Sequence, residues 1–245
     1  MKVNVKALVV GGGVVGVSIA YHLKKAGWDD IVLIERDELT AGSTWHAAGL
    51  LPLFNMSYSV GQIHKYSVKF YQDLQNETGM DVGFRKVSNI RLASTQDRMD
   101  EYLQYKGVAD TIGVEVNVLS PQEIKDCWSL VSTENLIGAI QHPEDGYIQP
   151  ADLTQAFAKG ARDKGAKIEI NTNVINIKRS PNDTWIVETD KGHIECKHVI
   201  SCSGNFARKT GKMVGLDLPV IPVEHQYIVT EQHPLIKERK DKNLP

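Results

Sequence analysis

Residues 6–35 read KALVVGGGVVGVSIAYHLKKAGWDDIVLIE, and this stretch decides the fold. Lys6–Val10 is a short apolar run rich in β-branched residues, the pattern of a buried parallel strand. Gly11, Gly13 and Gly16 follow as G-x-G-x-x-G. In that motif the first glycine makes the tight turn, the second lets backbone approach a pyrophosphate, and the third lets helix and strand pack closely. The spacing of Val17, Ala20, Tyr21 and Leu23, with Lys24 outward, predicts a helix over about 14–26, stopped by Gly27. Its first turn would aim bare N–H groups and the positive end of its dipole at phosphates. A second apolar run, Ile31–Ile34, ends in Glu35, about twenty residues past the last glycine, where an acid accepts hydrogen bonds from ribose hydroxyls. A glycine motif alone is weak. Strand, glycines, helix, strand and terminal acid in order make a dinucleotide cradle, and the glutamate disfavours a 2′-phosphate.

Composition narrows the class. The 245 residues suffice for one large or two small domains, and the formal net charge of −2 implies no nucleic-acid partner. Cys127, Cys196 and Cys202 show no C-x-x-C spacing and no disulfide framework, which fits a reducing compartment. Cys202 reads as a small packed residue rather than a redox thiol. No run is long enough to span a membrane, and no metal-ligand cluster stands out. With five residues before the first expected strand, there is no room for a signal or transit peptide, so the expected location is the cytoplasm. The mixed run Lys237–Lys242 reads as a solvated face or loop.

Tyr58–Glu77 has an amphipathic helical pattern closed by Gly79, and its aromatics read as core. Asn89–Ala93 predicts a strand, and Thr95–Ile112 a helix with Thr95 as N-cap. Ser120-Pro-Gln-Glu123 is a capping box with proline at the first helical position. Pro150–Lys164 predicts another helix, closed by Gly165. From Lys167 the pattern changes to short strands: Lys167–Ile170, Val174–Lys178, Trp185–Glu188, His193–Lys197 and His198–Ser201. The last leads through Ser201–Asn205 into a helix over Phe206–Val214, a second strand–glycine–helix junction. Val223–Thr230 reads as a final strand that puts His225 and Tyr227 on one face.

Six blocks carry a resemblance across essentially the whole chain: GGGVVGVSIAYHL at 11–23, ELTAGSTWHAAGL at 38–50, SNIRLA at 88–93, DGYIQPADLTQAFAKGAR at 145–162, HVISCSGNFARKTGKMVGL at 198–216 and PVEHQYIVTE at 222–231. Together they resemble the D-amino-acid-oxidase-like flavoenzymes, and more closely the dimethylglycine and sarcosine dehydrogenase family. The STWHAAGL and HQYIVT blocks are more specific than the glycine motif. The implied fold class is α/β: a Rossmann-like FAD-binding domain (1–47 and 151–218) with an inserted α+β substrate domain (48–150 and 219–245), incomplete at the C-terminus. Family members continue well beyond this length, so the chain is expected to be a C-terminally truncated member.

The resemblance implies FAD, joined covalently through His46 to the 8α-methyl carbon of the flavin. It places the cofactor on Gly11, Gly13, Val14, Val15, Gly16, Glu35, Arg36, Ser43, Thr44, His46, Gly49, Leu50, Val174, Ser203 and Gly204. Ser43 and Thr44 would offer hydroxyls to the pyrophosphate. Where the family has alanines and a tryptophan, this chain has Cys202, Ser203 and Phe206, which leaves the backbone role intact. His225 is the expected catalytic group, accepting the amine proton before hydride leaves the adjacent carbon, with Tyr227 positioning substrate. The implied activity is oxidation of the N-methyl groups of dimethylglycine or sarcosine by hydride transfer to flavin N5. An electron-transfer flavoprotein or oxygen would accept the electrons. Tetrahydrofolate would be a partner only with a further C-terminal domain, and the mitochondrial matrix the location only with a transit peptide. Two alternatives stay open: a non-catalytic FAD-binding or assembly module, and a nicotinamide enzyme using the same cradle. Arg85 and Arg91 read as surface or structural residues.

Overall fold

A computed structural model describes residues 3–238. In chain order the elements are β1 (Val3–Val10), α1 (Val14–Lys25), β2 (Ile31–Ile34), β3 (Leu50–Leu51), α2 (Tyr58–Thr78), β4 (Arg85–Lys86), β5 (Asn89–Ala93) and α3 (Gln96–Ile112). There follow β6 (Asn117–Leu119), α4 (Pro121–Cys127), β7 (Gly138–His142), β8 (Gly146–Tyr147), α5 (Pro150–Asp163), β9 (Lys167–Glu169), β10 (Val174–Arg179), β11 (Trp185–Thr189) and β12 (Gly192–Ser201). A 3-10 turn (Gly204–Phe206), α6 (Ala207–Lys212) and α7 (Pro234–Lys237) complete the order. The charge run at 237–242 lies outside the described residues from 239 onward.

The chain divides into two units. One holds the chain up to Ala48, Leu74–Val82 and Gln149–Gln226; the other holds Gly49–Asp73, Gly83–Ile148 and the chain from Tyr227.

The first unit is built on a six-stranded sheet in the order β10-β11-β12-β1-β2-β9. β1 pairs in parallel with β12 on one side, Ala7 opposite His198, and with β2 on the other, Ala7 opposite Ile31. β9 extends the parallel part, and β10–β11–β12 form an antiparallel meander. The central strands are apolar on both faces because both are covered: Ala7, Leu8, Val9, Ile31, Leu33 and Ile34 are all buried. Val5, Leu8, Val10, Val32, Ile34, Ile177, Val187 and Cys196 form one cluster. Helices α1 and α5 pack together at Gly160, where a Cβ would lie 2.9 Å from Cδ2 of the buried Tyr21 ring. The Tyr21 hydroxyl donates to Glu77 Oε2 at 2.6 Å, and Lys164 Nζ lies 2.6 Å from the other oxygen. Lys164 first, then Tyr21, hold the Glu77 carboxyl below its usual range.

The second unit has two three-stranded sheets, β3-β8-β4 and β5-β7-β6. Its core joins Leu53, Val68, Ala93, Tyr105, Ala109 and Ile140 under α3. Thr95 caps α3 by accepting from the Arg98 N–H, and left-handed Gly113 closes the helix. The capping box at Ser120 opens α4 as expected.

Three readings are corrected. Val223–Thr230 is not a strand: it is exposed and joins no ladder, because an alternating pattern supplies half of a hydrogen-bonded pair and no described strand supplies the other half. His193–Lys197 and His198–Ser201 are one strand, β12, paired in a single register to β1 over Val3–Val10. The helix read over Phe206–Val214 begins as the 3-10 turn and ends at Lys212. Among the described residues, no helix is long and apolar enough to cross a membrane.

Candidate functional site

The C-terminal ends of β1, β2 and β12 open onto one cavity of about 390 Å³ in the first unit. This is where parallel α/β sheets place their ligands. Its floor is the glycine turn. Gly11 has φ +114°, and a Cβ there would lie 2.4 Å from the Cys202 carbonyl oxygen, so this residue must be glycine for β1 and β12 to meet. A Cβ at Gly16 would lie 1.9 Å from the Gly11 carbonyl oxygen, which fixes how closely α1 sits on the turn. The first intrahelical bond of α1 is Val17 N–H to the Gly13 carbonyl. The earlier N–H groups of that turn therefore have no partner within the helix. Val14 N–H donates to Thr44 Oγ1 at 3.1 Å, so Thr44 stands over the helix start.

The acid at the end of β2 is locked by backbone. Gly12 N–H donates to Glu35 Oε2 at 2.6 Å and Asp37 N–H to Oε1 at 3.0 Å. Each oxygen keeps a lone pair for a hydroxyl. The Glu35 carbonyl accepts from Thr172 N–H at 2.7 Å, and the Asp37 carbonyl from Asn171 N–H at 3.0 Å, which brings the turn before β10 to the cavity wall. Opposite, the Arg36 guanidinium carbon sits 4.0 Å from the centre of the Phe206 ring, while Arg36 Nε donates to Asp37 at 3.0 Å. Ser201 and Ser203 share a hydroxyl hydrogen bond at 2.8 Å. Burial pushes the Cys202 thiol up to about 11, so it lines the cavity as a neutral thiol.

The cavity brings together Gly11, Gly13, Val14, Val15, Glu35, Arg36, Ser43, Thr44, Val174, Ser203 and Gly204. It also draws in residues that sequence reading missed, among them Asp37, Thr172, Asn173, Phe206, Lys209 and Met213. Asp37, Thr172 and Asn173 lie close to strand ends, while Phe206, Lys209 and Met213 follow the second strand–glycine–helix junction. Gly16 supports the turn from below without lining the cavity. His46 lies between the lining residues Thr44 and Ala47, but its ring is exposed and stands against the Trp45 indole, ring centres 3.8 Å apart. Gly49 and Leu50 belong to the second unit, where the Gly49 carbonyl accepts from Ile148 N–H at 2.8 Å and Leu50 pairs with Tyr147. His225 and Tyr227 are exposed on the unpaired segment and are not brought to the cavity. Among the described residues, no group of three His, Cys, Asp or Glu side chains is placed to hold a metal ion.

These residues fit the dinucleotide part of an FAD. Backbone at Gly11 and Gly13 lines the cavity without side chains, the start of α1 carries N–H donors suited to a phosphate, and Glu35 is held by backbone with lone pairs free to accept a hydroxyl.

Comparison with known proteins agrees. Residues 6–245 match the family described as DAO, FAD dependent oxidoreductase. The chain is 42% identical over 244 residues to the mitochondrial dimethylglycine dehydrogenase of Rattus norvegicus, covering 100% of this chain and 28% of that protein. It is 34% identical over 231 residues to the mitochondrial sarcosine dehydrogenase of Mus musculus, covering 92% of this chain and 25% of that one. Among solved structures, L-proline dehydrogenase from P. horikoshii matches with a TM-score of 0.82 at 26% identity, over 88% of this chain and 57% of that one. The chain thus spans little more than a quarter of the length of these two curated relatives. A glycine cradle with a locked acid at the second strand, matched by a family model over residues 6–245, has one reading: the chain belongs to the FAD dependent oxidoreductases of the DAO family.

Proposed function

We propose that this chain is the FAD-binding portion of an oxidoreductase that takes hydride from the N-methyl carbon of an N-methylated glycine, dimethylglycine or sarcosine. The observation that carries the substrate class is the 42% identity to dimethylglycine dehydrogenase along the whole chain. When bound, FAD supplies the hydride acceptor, its N5 atom. The first-turn N–H groups of α1 and the Thr44 hydroxyl hold the pyrophosphate, and Glu35 holds the adenosine ribose. Val174, Ser203 and Gly204 border the same cavity. His46 is the proposed attachment residue. His225 is the proposed acceptor of the amine proton, with Tyr227 beside it. Electron-transfer flavoprotein is the proposed electron acceptor, and tetrahydrofolate a partner only where a folate-binding domain is joined to the chain.

A second reading, a flavin-binding module without turnover, is favoured by the exposed, unpaired segment that carries His225 and Tyr227. Both are tested with the chain reconstituted with FAD, beside His46→Ala. After acid denaturation, a fluorescent protein band that disappears in the variant supports covalent FAD at His46. A yellow protein with no such band keeps the flavin and removes the covalent link. A colourless protein overturns both readings. Loss of the yellow colour on anaerobic addition of dimethylglycine favours the oxidoreductase; unchanged colour with FAD bound favours the module.

A further inference from the structure

The corner between β7 and β8 in the second unit buries an acid that the proposed chemistry does not use. Asp145 is 1% exposed. Its Oδ1 accepts from Leu53 N–H at 2.9 Å, and its carbonyl accepts from Val87 and Ser88 N–H at 3.2 and 2.8 Å. Ser88 adopts φ +76° to make that turn. One residue thus ties three segments of the unit together.

The second carboxylate oxygen, Oδ2, is buried without a hydrogen-bond partner. So are four neighbouring atoms: Arg91 Nε, His142 Nδ1, Asn89 Oδ1 and Ser88 Oγ. Asn89 stands directly opposite His142 in the β5–β7 ladder. Arg91 is close enough for its charge to act on both Asp145 and His142, but its guanidinium is not paired with the carboxylate. It sits over the Phe54 ring, 4.4 Å from the centre. Phe54 follows Leu53 in the chain and packs against Tyr105 at 4.3 Å between ring centres. Tyr105 in turn donates to the Leu53 carbonyl at 3.3 Å and shares a hydrogen bond with His142 Nε2 at 3.0 Å.

We propose that Asp145 and Arg91 form a proton-set switch: with Asp145 protonated the Arg91 guanidinium rests on Phe54, and loss of that proton to solvent draws Arg91 off the ring into an ion pair with the carboxylate. The physical reason is the competition for one cation. A buried carboxylate with a free lone pair is strongly disfavoured without a partner, whereas a neutral carboxyl asks nothing of the guanidinium. The stack on Phe54 is the weaker alternative and gives way when the acid ionises. Burial raises the Asp145 carboxyl to about 7, with the Leu53 N–H and the Arg91 charge pulling less strongly the other way. His142, lowered to about 4 by burial and then by Arg91, stays neutral throughout this range. Burial also holds Tyr105 up at about 12, so it stays un-ionised. Lys86 and Glu144 at the neighbouring turn are engaged with each other, and it is the Arg91 charge that acts on the Asp145 carboxyl. The switch acts on the Phe54 ring, which loses its guanidinium cover when Asp145 ionises.

The test is an NMR titration of the full chain from about pH 5 to pH 9, following the Asp145 carboxyl carbon and the Arg91 Nε resonance. The expected result is an Asp145 midpoint near neutrality, with Arg91 Nε shifting at the same midpoint. In Asp145→Asn the Arg91 signal becomes independent of pH. In Arg91→Gln the Asp145 midpoint moves upward, and this variant serves if Asp145→Asn does not fold. An Asp145 midpoint in the ordinary carboxylate range, or an Arg91 signal that stays fixed through the Asp145 transition, overturns the proposal. So does an unmoved Asp145 midpoint in Arg91→Gln.

Discussion

Each carboxylate oxygen of Glu35 faces a backbone N–H, from Gly12 on one side and Asp37 on the other. A glutamine in its place must turn an amide NH₂ toward one of those donors. Glu35→Gln is therefore expected to weaken FAD binding about ten- to a hundred-fold, the scale of roughly 1.5–3 kcal/mol for hydrogen bonds to a charged group. Calorimetric titration with FAD measures it, and an unchanged affinity would remove Glu35 from the ribose site. At Asp145 and His142 the signs oppose. Asp145 titrates at about 7 in the fold against 3.8 in its ordinary state, so its protonated form is favoured by folding. Its stabilising contribution is full below about pH 4 and is lost as pH rises through about 7. His142 titrates at about 4 against 6.5, so its neutral form is favoured and stability is lost as pH falls from about 6.5 toward 4. Asp145→Asn should remove the first loss and leave the His142 gain: between about pH 5 and pH 8 the urea midpoint should rise with pH in the variant and stay nearly level in the native chain, a difference on the order of a few kcal/mol. Of these residues, Glu35 was legible because a strand end, a glycine count and an acid suffice to place it. Asp145 was not, because burial of a carboxylate is decided by chain segments that sequence alone does not bring together.

At the scale of elements, β1, α1 and β2 were readable because local pattern and tertiary demand agree. The same is true of the caps at Thr95 and Ser120, where the side chain, the backbone group it bonds and the helix it opens lie within a few residues. Strands β3, β4 and β8 are two residues long and carry no period to detect. β7 is missed for a different reason: Gly138–His142 is a central strand between β5 and β6, and its sequence GAIQH has little β-branched character. Val223–Thr230 errs the other way, having the composition of a strand with no described ladder to join. The cavity shows the same division. Its glycine side was legible, whereas Phe206, Thr172 and Lys209 arrive through the β12–α6 junction and the β10 turn. The α1–α5 crossing offers a test between two opposed effects. Gly160→Ala gains about 1 kcal/mol of helix propensity but drives a methyl into the fully buried Tyr21 ring, an overpacking that costs about 1–3 kcal/mol. Net destabilisation is expected, read as a lowered denaturation midpoint; a stabilised variant would mean that the two helices separate freely.

At the scale of the whole molecule, the cavity residues all fall in the first unit, so cofactor binding should be visible as stabilisation without turnover. Free FAD at about a hundred times its dissociation constant should add about 2.7 kcal/mol. For a chain of this size that is roughly 5–10 °C in the unfolding temperature of the flavin-binding transition. FMN, which lacks the adenosine that Glu35 is proposed to hold, should give much less. Equal shifts with the two would mean that the glycine cradle contributes little to recognition. Differential scanning fluorimetry distinguishes the outcomes. The first unit also joins segments that lie far apart in the sequence. Strand β1 lies between β2, a few turns of chain away, and β12, whose Ala7–His198 register joins residues at opposite ends of the sequence. On a ribosome, the glycine turn at 11–16 emerges nearly two hundred residues before the Cys202 carbonyl it fits against. β1 and β2 are therefore made before Gly49–Asp73 and Gly83–Ile148 of the second unit, and β12 after them. The cradle is complete only when β12 has joined β1, so flavin capture on it is expected to follow the synthesis of most of the described chain.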